Sequence, residues 1–371
     1  MCIRDRIRVN NLSNESSTGG PTISGITTFS GTNFFVPPVG STAQRPDNPQ
    51  KGAIRFNTDN KHLEYFKGDT LGWSDIEVIE SAPLGARGIF AGGNGPATRT
   101  AIDYITIATT GNAQDFGDSD VPVDVPAGAA NLTRGIVAGG YRPSPAAGDT
   151  GNISMLTIAT LGDTTTWGTL SSARRNRDGT GDHSRGLFMS GYPTTAQIDY
   201  ITYMTTGTSI DFGDTTQARY NPAGVSDSTR AVCCGGDNPD SNICDYVTIQ
   251  STGTAQDFGD LTETSNASCA HGSSTRGIIG LAGTTINYIT IASTGNAIDF
   301  GDCSNAGVNK NVTGSSTRCC LSGGYGASSP HPQTNTIEYV TIATLGNAAD
   351  FGDMQVTRSG GAAFSNSGGW L

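Results

Sequence analysis

The sequence predicts an all-β chain, and three observations carry that expectation. Glycine fills 51 of 371 positions, about twice its usual share. Charged residues make up only 15% and hydrophobic residues 35%, too few of the Ala, Leu, Glu and Lys on which helical bundles depend. The abundant Gly, Ser, Thr and Asn suit short strands joined by many turns. The third observation is a repeat, which sets the number of units and the place of each strand.

The phrase Asp103-Tyr104-Ile105-Thr106-Ile107-Ala108 returns around Tyr200, Tyr246, Tyr288 and Tyr339, and in degenerate form around Met155, making six copies. Twelve residues after each Tyr or Met155 stands an aromatic: Phe116, Trp167, Phe212, Phe258, Phe300 and Phe351. A second anchor is an Arg opening an apolar run: Arg87, Arg134, Arg185, Arg230, Arg276 and Arg318. It follows the preceding aromatic by 18 residues in all five cases, whereas the Arg-to-Tyr gap varies from 12 to 21. Two segments of each unit therefore refuse insertions, and the elastic loop is expected on a surface.

Each unit reads as four strands. Arg87 to Ala91 is apolar on both sides and ends in Gly92-Gly93, as befits a strand covered on both faces. The Tyr-Ile-Thr-Ile segment alternates, so it is a second strand. Thr-Gly-Asn then marks a turn, and Asp-Phe-Gly-Asp begins a short strand. The fourth strand falls in the constant stretch, for instance Ser359 to Phe364. Six four-stranded units of this length predict a six-bladed β-propeller over 82–371, with a truncated seven-bladed ring as the alternative. The last constant segment lacks a following Arg strand, so it is expected to complete the first blade and close the ring.

The glycine pair, the strand Tyr, the following aromatic and the Arg-bearing strand together resemble the kelch-type blade. Trp167 supplies the tryptophan usual in kelch blades, and Phe in the other five copies departs from it. The resemblance covers roughly 84–371. Some kelch-like propellers are copper oxidases, but the Tyr and His ligand set they need does not assemble here, and no cofactor is expected.

The N-terminal part differs. Residues 1–45 are rich in Ser, Thr, Gly, Asn and Pro and read as an extended stalk or attachment segment. Met1 to Arg6 fits nothing around it and reads as a leader foreign to this frame, with the native start expected elsewhere. In 46–80, Gly52 to Thr58 and Leu63 to Phe66 flank an Asp-Asn turn as a hairpin, which needs a partner to be stable. This stretch is similar to a short module of bacteriophage tail fibres, and the repeat phrase resembles structural proteins of marine phages.

Composition excludes several functions. The net charge is −11 with no basic cluster, so nucleic acid and anionic membranes are not expected partners. No run of 18 apolar residues could span a membrane, and Met1 to Val9 lacks the apolar core of a secretory signal. The eight cysteines form no C-x-x-C pair and do not recur with the repeat, so they read as small buried hydrophobes with free thiols.

Asp-Phe-Gly occurs five times, but no lysine, glycine-rich loop or catalytic Asp accompanies it as in a kinase. It reads as structural, with the aromatic in the core and the glycine permitting a tight turn. Paired acids such as Asp115 and Asp118 suit calcium, but such residues more often accept backbone hydrogen bonds in turns. His62, His183, His271 and His331 are not equivalently placed, and no H-E-x-x-H exists, so no metal site is expected. No catalytic set appears, and the protein is read as a non-enzyme.

The variable loops are the candidate binding surface. They carry Asn94, Arg99, Tyr141, Arg142, Asp149, Tyr192, Asp237, Asn238, Asp240, Tyr325, His331 and Gln333. Planar aromatics and amides suit sugar or protein recognition. The expectation is a virion protein, assembled in the host cytoplasm and exposed outside the cell. Its propeller rim would bind a host-surface glycan or protein, and residues 1–80 would attach to other virion proteins. By analogy with fibres it would be a homotrimer. Two alternatives stay open: a capsid or tail decoration protein binding other virion subunits, and a tailspike-like hydrolase acting on polysaccharide.

Overall fold

The computed structural model describes residues 37–59, 62–70, 72–76, 86–95, 99–266, 269–326 and 332–368. The chain divides into two compact units, 1–79 and 80–371. The fold is all-β; the one helical turn among the described residues is a 3-10 turn at Thr42–Gln44.

The smaller unit holds one four-stranded sheet, in the order Val39–Gly40, Ile54–Asn57, His62–Phe66 and Trp73–Ile76. The hairpin of Ile54–Asn57 and His62–Phe66 finds its partners in the flanking strands. Val39 pairs in parallel with Phe56, and so the sheet begins before residue 46; the boundary expected there cuts through it. The buried Glu64 carboxylate ties the sheet together. It accepts from Arg45 Nη2 at 2.5 Å and from Asn57 Nδ2 at 3.1 Å. The Arg45 guanidinium holds Glu64 below the usual carboxylate range. Residues 1–36, and with them most of the expected stalk, lie outside the described residues.

Among the described residues the larger unit holds six sheets of four main antiparallel strands each, and besides them a two-stranded pairing of Tyr141–Arg142 with Gly148–Asp149. In sheet two the strands are Ala127–Ala130, Arg134–Ala138, Asn152–Thr157 and Thr165–Thr169. Sheet three runs Asp178–Gly181, Arg185–Met189, Thr195–Thr202 and Ile210–Arg219, and sheets four to six repeat the pattern from Ala223, Cys269 and Asn311. Sheet one draws on both ends of the unit. Its first strand is Ala362–Ser365, paired with Arg87–Ala91, which continues to Ala101–Thr106 and Gln114–Asp118. The fourth strand therefore begins three residues later than the sequence suggests, after Gly360 and Gly361. In sheets three to five the outermost strand also runs well past Asp-Phe-Gly-Asp, to Arg219, Ser265 and Val308.

The first strands of the six sheets adjoin one another in order, and that of sheet six adjoins that of sheet one. The second strands are buried on both faces after their opening Arg. Six apolar clusters fill the spaces between successive sheets. Ile89, Phe116 and Ile158 lie between sheets one and two, and Phe90, Cys320 and Phe351 between six and one. The described cysteines are buried free thiols inside these clusters.

Two repeated contacts join neighbouring sheets. Each opening Arg reaches carbonyls of the next sheet: Arg87 Nη1 donates to Ile158 O at 2.9 Å, Arg276 Nη1 to Ile342 O at 3.0 Å, and Arg318 Nη1 to Ile107 O at 3.0 Å. In the five sheets with the repeat Tyr the same guanidinium lies over that ring, 5.0 Å from the Tyr104 ring centre for Arg87. That Tyr in turn meets the Asp-Phe-Gly ring edge-on, as Tyr104 does Phe116 at 6.0 Å. The second contact corrects the expectation for the Asp-Phe-Gly glycines. They sit within the outermost strand rather than in a turn, and the backbone of the next sheet crowds them. A Cβ on Gly259 would lie 2.5 Å from Gly295 O, and one on Gly352 equally close to Gly111 O. The N–H of Gly295 donates to Phe258 O at 2.7 Å and that of Gly111 to Phe351 O at 2.7 Å, so each outer edge is covered by its neighbour's turn.

Candidate binding site on the loops

In four of the six units the residue eight positions after the aromatic pairs by an isolated backbone bridge with the loop after the next sheet's second strand. Asp124 bridges Tyr141, Arg175 bridges Tyr192, Tyr220 bridges Asp237, and Ser359 bridges Asn94. The fixed segment and the variable loop are thus brought side by side at one end of successive sheets.

On sheets two to four this pairing builds a stack. The Arg175 guanidinium lies between two rings, 5.0 Å from the Tyr141 centroid and 4.4 Å from that of Tyr192. Tyr192 meets Tyr220 edge-to-face at 5.7 Å. Arg175 Nη1 donates to Asp149 Oδ1 at 2.9 Å, fixing its plane. At the far end the Tyr220 phenol is hydrogen bonded to Asp237, which holds its pKa above the ordinary value. Asn238 Nδ2 donates to Thr194 Oγ1 at 2.9 Å, and Asp240 follows on the same exposed loop. Tyr192 is 40% exposed. The result is a line of aromatic faces bordered by carboxylates and an amide, already ordered by internal contacts.

Other predicted residues fall elsewhere. Asn94, Tyr325 and Gln333 form a separate cluster between sheets one and six. Asn94 Nδ2 donates to Tyr325 Oη at 2.8 Å, and Gln333 Nε2 donates to Asn94 O at 2.7 Å. Their polar groups serve one another. Arg99 pairs with Asp124 at 2.9 Å, beside Tyr141. Arg142 lines a groove of about 260 Å³ with Asp120, Pro122 and Pro145, just under the ~300 Å³ at which pockets for drug-sized ligands begin. His331 lies outside the described residues. Arg175 and Tyr220 were missed, because they belong to the constant segment; their signal is the fixed offset from Trp167 and Phe212.

The space between the six first strands is smaller. A cavity of about 80 Å³ is lined by Asn176, Asp178, Asn221, Asn311 and Gly361, among others. It has room for water and not for a sugar ring. Polar side chains tie strand to strand around it: Asp178 Oδ2 accepts from Gly224 N at 2.5 Å, and Asn311 Oδ1 from Gly361 N at 2.6 Å. Burial pushes the Asp178 carboxyl up to about 7. Among the described residues no group of three or more His, Cys, Asp or Glu is placed to hold a metal ion.

Comparison with known proteins finds no family model that matches the chain and no curated relative that matches it.

Proposed function

We propose that the larger unit is a six-bladed β-propeller acting as a recognition module of a phage virion, with the Tyr141–Arg175–Tyr192–Tyr220 stack as the contact surface for a host-surface glycan or protein. The six sheets, the cyclic order of their first strands and the clusters between them support the propeller. The observation that carries the binding role is the stack itself. Rings ordered before a ligand arrives lose little entropy on binding, and Asp237 and Asn238 offer acceptors and a donor beside them. The smaller unit attaches this module to other virion proteins, a role that rests on the tail-fibre-like hairpin.

The test is binding of the purified chain to a glycan array and to host envelopes, with Tyr192→Ala and Tyr220→Ala as variants. The reading expects binding by the parent chain and a loss of tenfold or more in each folded variant, the scale of about 1.4 kcal/mol per decade. Absence of binding by the parent chain, or binding undiminished in both variants, contradicts it.

A further inference from the structure

Lys310 is the one lysine of the larger unit, and it is 7% exposed. No carboxylate pairs with it among the described residues. Its Nζ donates to Gly283 O and, at 3.1 Å, to Cys303 Sγ. Cys303 is 3% exposed and packs in the apolar cluster with Ile286 and Phe300. Its thiol faces the carbonyls of Thr284 at 3.3 Å and Asn305 at 3.4 Å.

The repeat makes the pair conspicuous. Cys303 stands three residues after its aromatic and Lys310 ten after it. At these positions the other five copies hold Ser, Leu, Thr, Leu and Met, and Pro, Arg, Pro, Ser and Gly. The only copy with a cysteine at the first is the only copy with a lysine at the second. In sheets one, three and four a buried Arg from the incoming segment meets the acid before the repeat Tyr. Sheet six has such an acid in Glu338, but its carboxylate accepts from Ser304 N at 3.0 Å and Asn305 N at 3.2 Å. Lys310 is turned to the sulfur instead.

We propose that Cys303 and Lys310 form a covalent cross-link through a single oxygen, Cys–S–O–NH–Lys, with dioxygen as oxidant. The S–H bond and one N–H bond of the amine break, and S–O and N–O bonds form. Four electrons pass from sulfur and nitrogen to dioxygen. Its second oxygen leaves as water carrying both hydrogens, and the proton of the ammonium form is released. Inserting one atom suits a 3.1 Å separation with less movement than a direct N–S bond. Dioxygen is small and apolar, so it enters where larger oxidants do not. The product carries no charge, which relieves a buried amine whose partners among the described residues are a carbonyl and a thiol.

The experiment is a tryptic map without reductant of the full chain stored in air-saturated buffer. A bridged Lys310 resists trypsin, so the expected product is peptide 277–318, uncleaved at Lys310. It should be about 14 Da heavier than its sequence, one oxygen in and two hydrogens out. Dithiothreitol should return it to a cleavable lysine and a free thiol, and Cys303→Ser should abolish it. Normal cleavage at Lys310 with no added mass overturns the proposal. So does a thiol carrying two or three oxygens beside a free lysine, or a peptide about 2 Da lighter, which marks a direct N–S link.

Discussion

Arg219 Nη2 and Asp245 Oδ2 meet at 2.6 Å, and neither side chain is exposed. The Arg arrives on the segment leading into sheet four, and the acid precedes the repeat Tyr of that sheet. The same relation joins Arg177 to Asp199 at 2.8 Å and Arg358 to Asp103 at 2.6 Å. Sheets two and five have no Arg in the incoming segment, and there the acid is replaced by Ser154 and Asn287. Among the described residues, this position keeps an acid in sheets one, three and four, where an Arg reaches it, and in sheet six, where Glu338 accepts from backbone N–H groups.

Breaking one such pair should therefore be costly. Arg219→Met leaves the buried Asp245 carboxyl without its Arg partner, and a loss of about 3–5 kcal/mol is expected in urea unfolding. Arg219 Nε and Nη1 already lack hydrogen-bond partners. The double replacement Arg219→Met with Asp245→Leu should thus recover most of that loss. A double variant as unstable as the single one would show that the pair is not the cause.

The Arg318 guanidinium joins the last repeat to the first, at 3.0 Å from both Ile107 O and Ala108 O. Arg230 makes the equivalent contact within the chain, at 2.9 Å to Ala292 O. Arg318→Ala and Arg230→Ala should each cost about 1–3 kcal/mol by loss of charge-assisted hydrogen bonds. Equal losses by thermal melting are expected, because the junction of the chain ends is built like the others. A negligible effect at Arg318 alone would separate the ends.

The crowded glycines make a paired test. Gly259 and Gly295 both have positive φ, at 142° and 154°, but a Cβ on Gly295 meets nothing within 4 Å. Gly295→Ala carries backbone strain alone, about 1 kcal/mol. Gly259→Ala adds a clash with the Gly295 carbonyl and should cost about 2–4 kcal/mol. Comparable losses in the two would remove the sheet-to-sheet contact from the account.

Stability should depend on pH through the small cavity. Burial raises Asp178 from 3.8 to about 7. The folded chain holds this proton more tightly than the unfolded one. Its contribution is complete below the ordinary carboxylate value and is lost as pH rises through about 7, by no more than about 4 kcal/mol. Burial moves His271 the other way, to about 4, so its contribution is lost as pH falls from 6.5 towards 4. Melting between pH 4 and 8 should show Asp178→Asn abolishing the decline on the alkaline side and leaving the acidic one. An unchanged alkaline slope would refute the assignment.

Much of this was legible in the sequence, for a definite reason. Strands that bury Ile89 and Phe90 on opposite faces repeat the same apolar run, and a loop open to solvent reveals itself by changing length. The stack at Tyr192 was half legible. Its loop residues were visible as insertions, whereas Arg175 and Tyr220 sit in a segment of fixed length and looked structural. The contacts between sheets were hidden. Gly259 meets Gly295, 36 residues on, through backbone atoms that no side-chain pattern encodes. No sequence pattern pairs Arg219 with Asp245, 26 residues on; the strand register brings them together.

The closure of the sheets on themselves is tested most directly by a disulfide between the two ends of the larger unit. Ala91 and Ala362 are opposed across antiparallel strands, a separation of about 4.5–5.5 Å that a disulfide spans. In Ala91→Cys with Ala362→Cys, oxidised in the folded state, we predict one linked species joining tryptic peptides 88–99 and 359–371, released by reductant. If both new cysteines stay free, or pair only between molecules, the chain ends do not meet in one sheet and the closed arrangement is wrong.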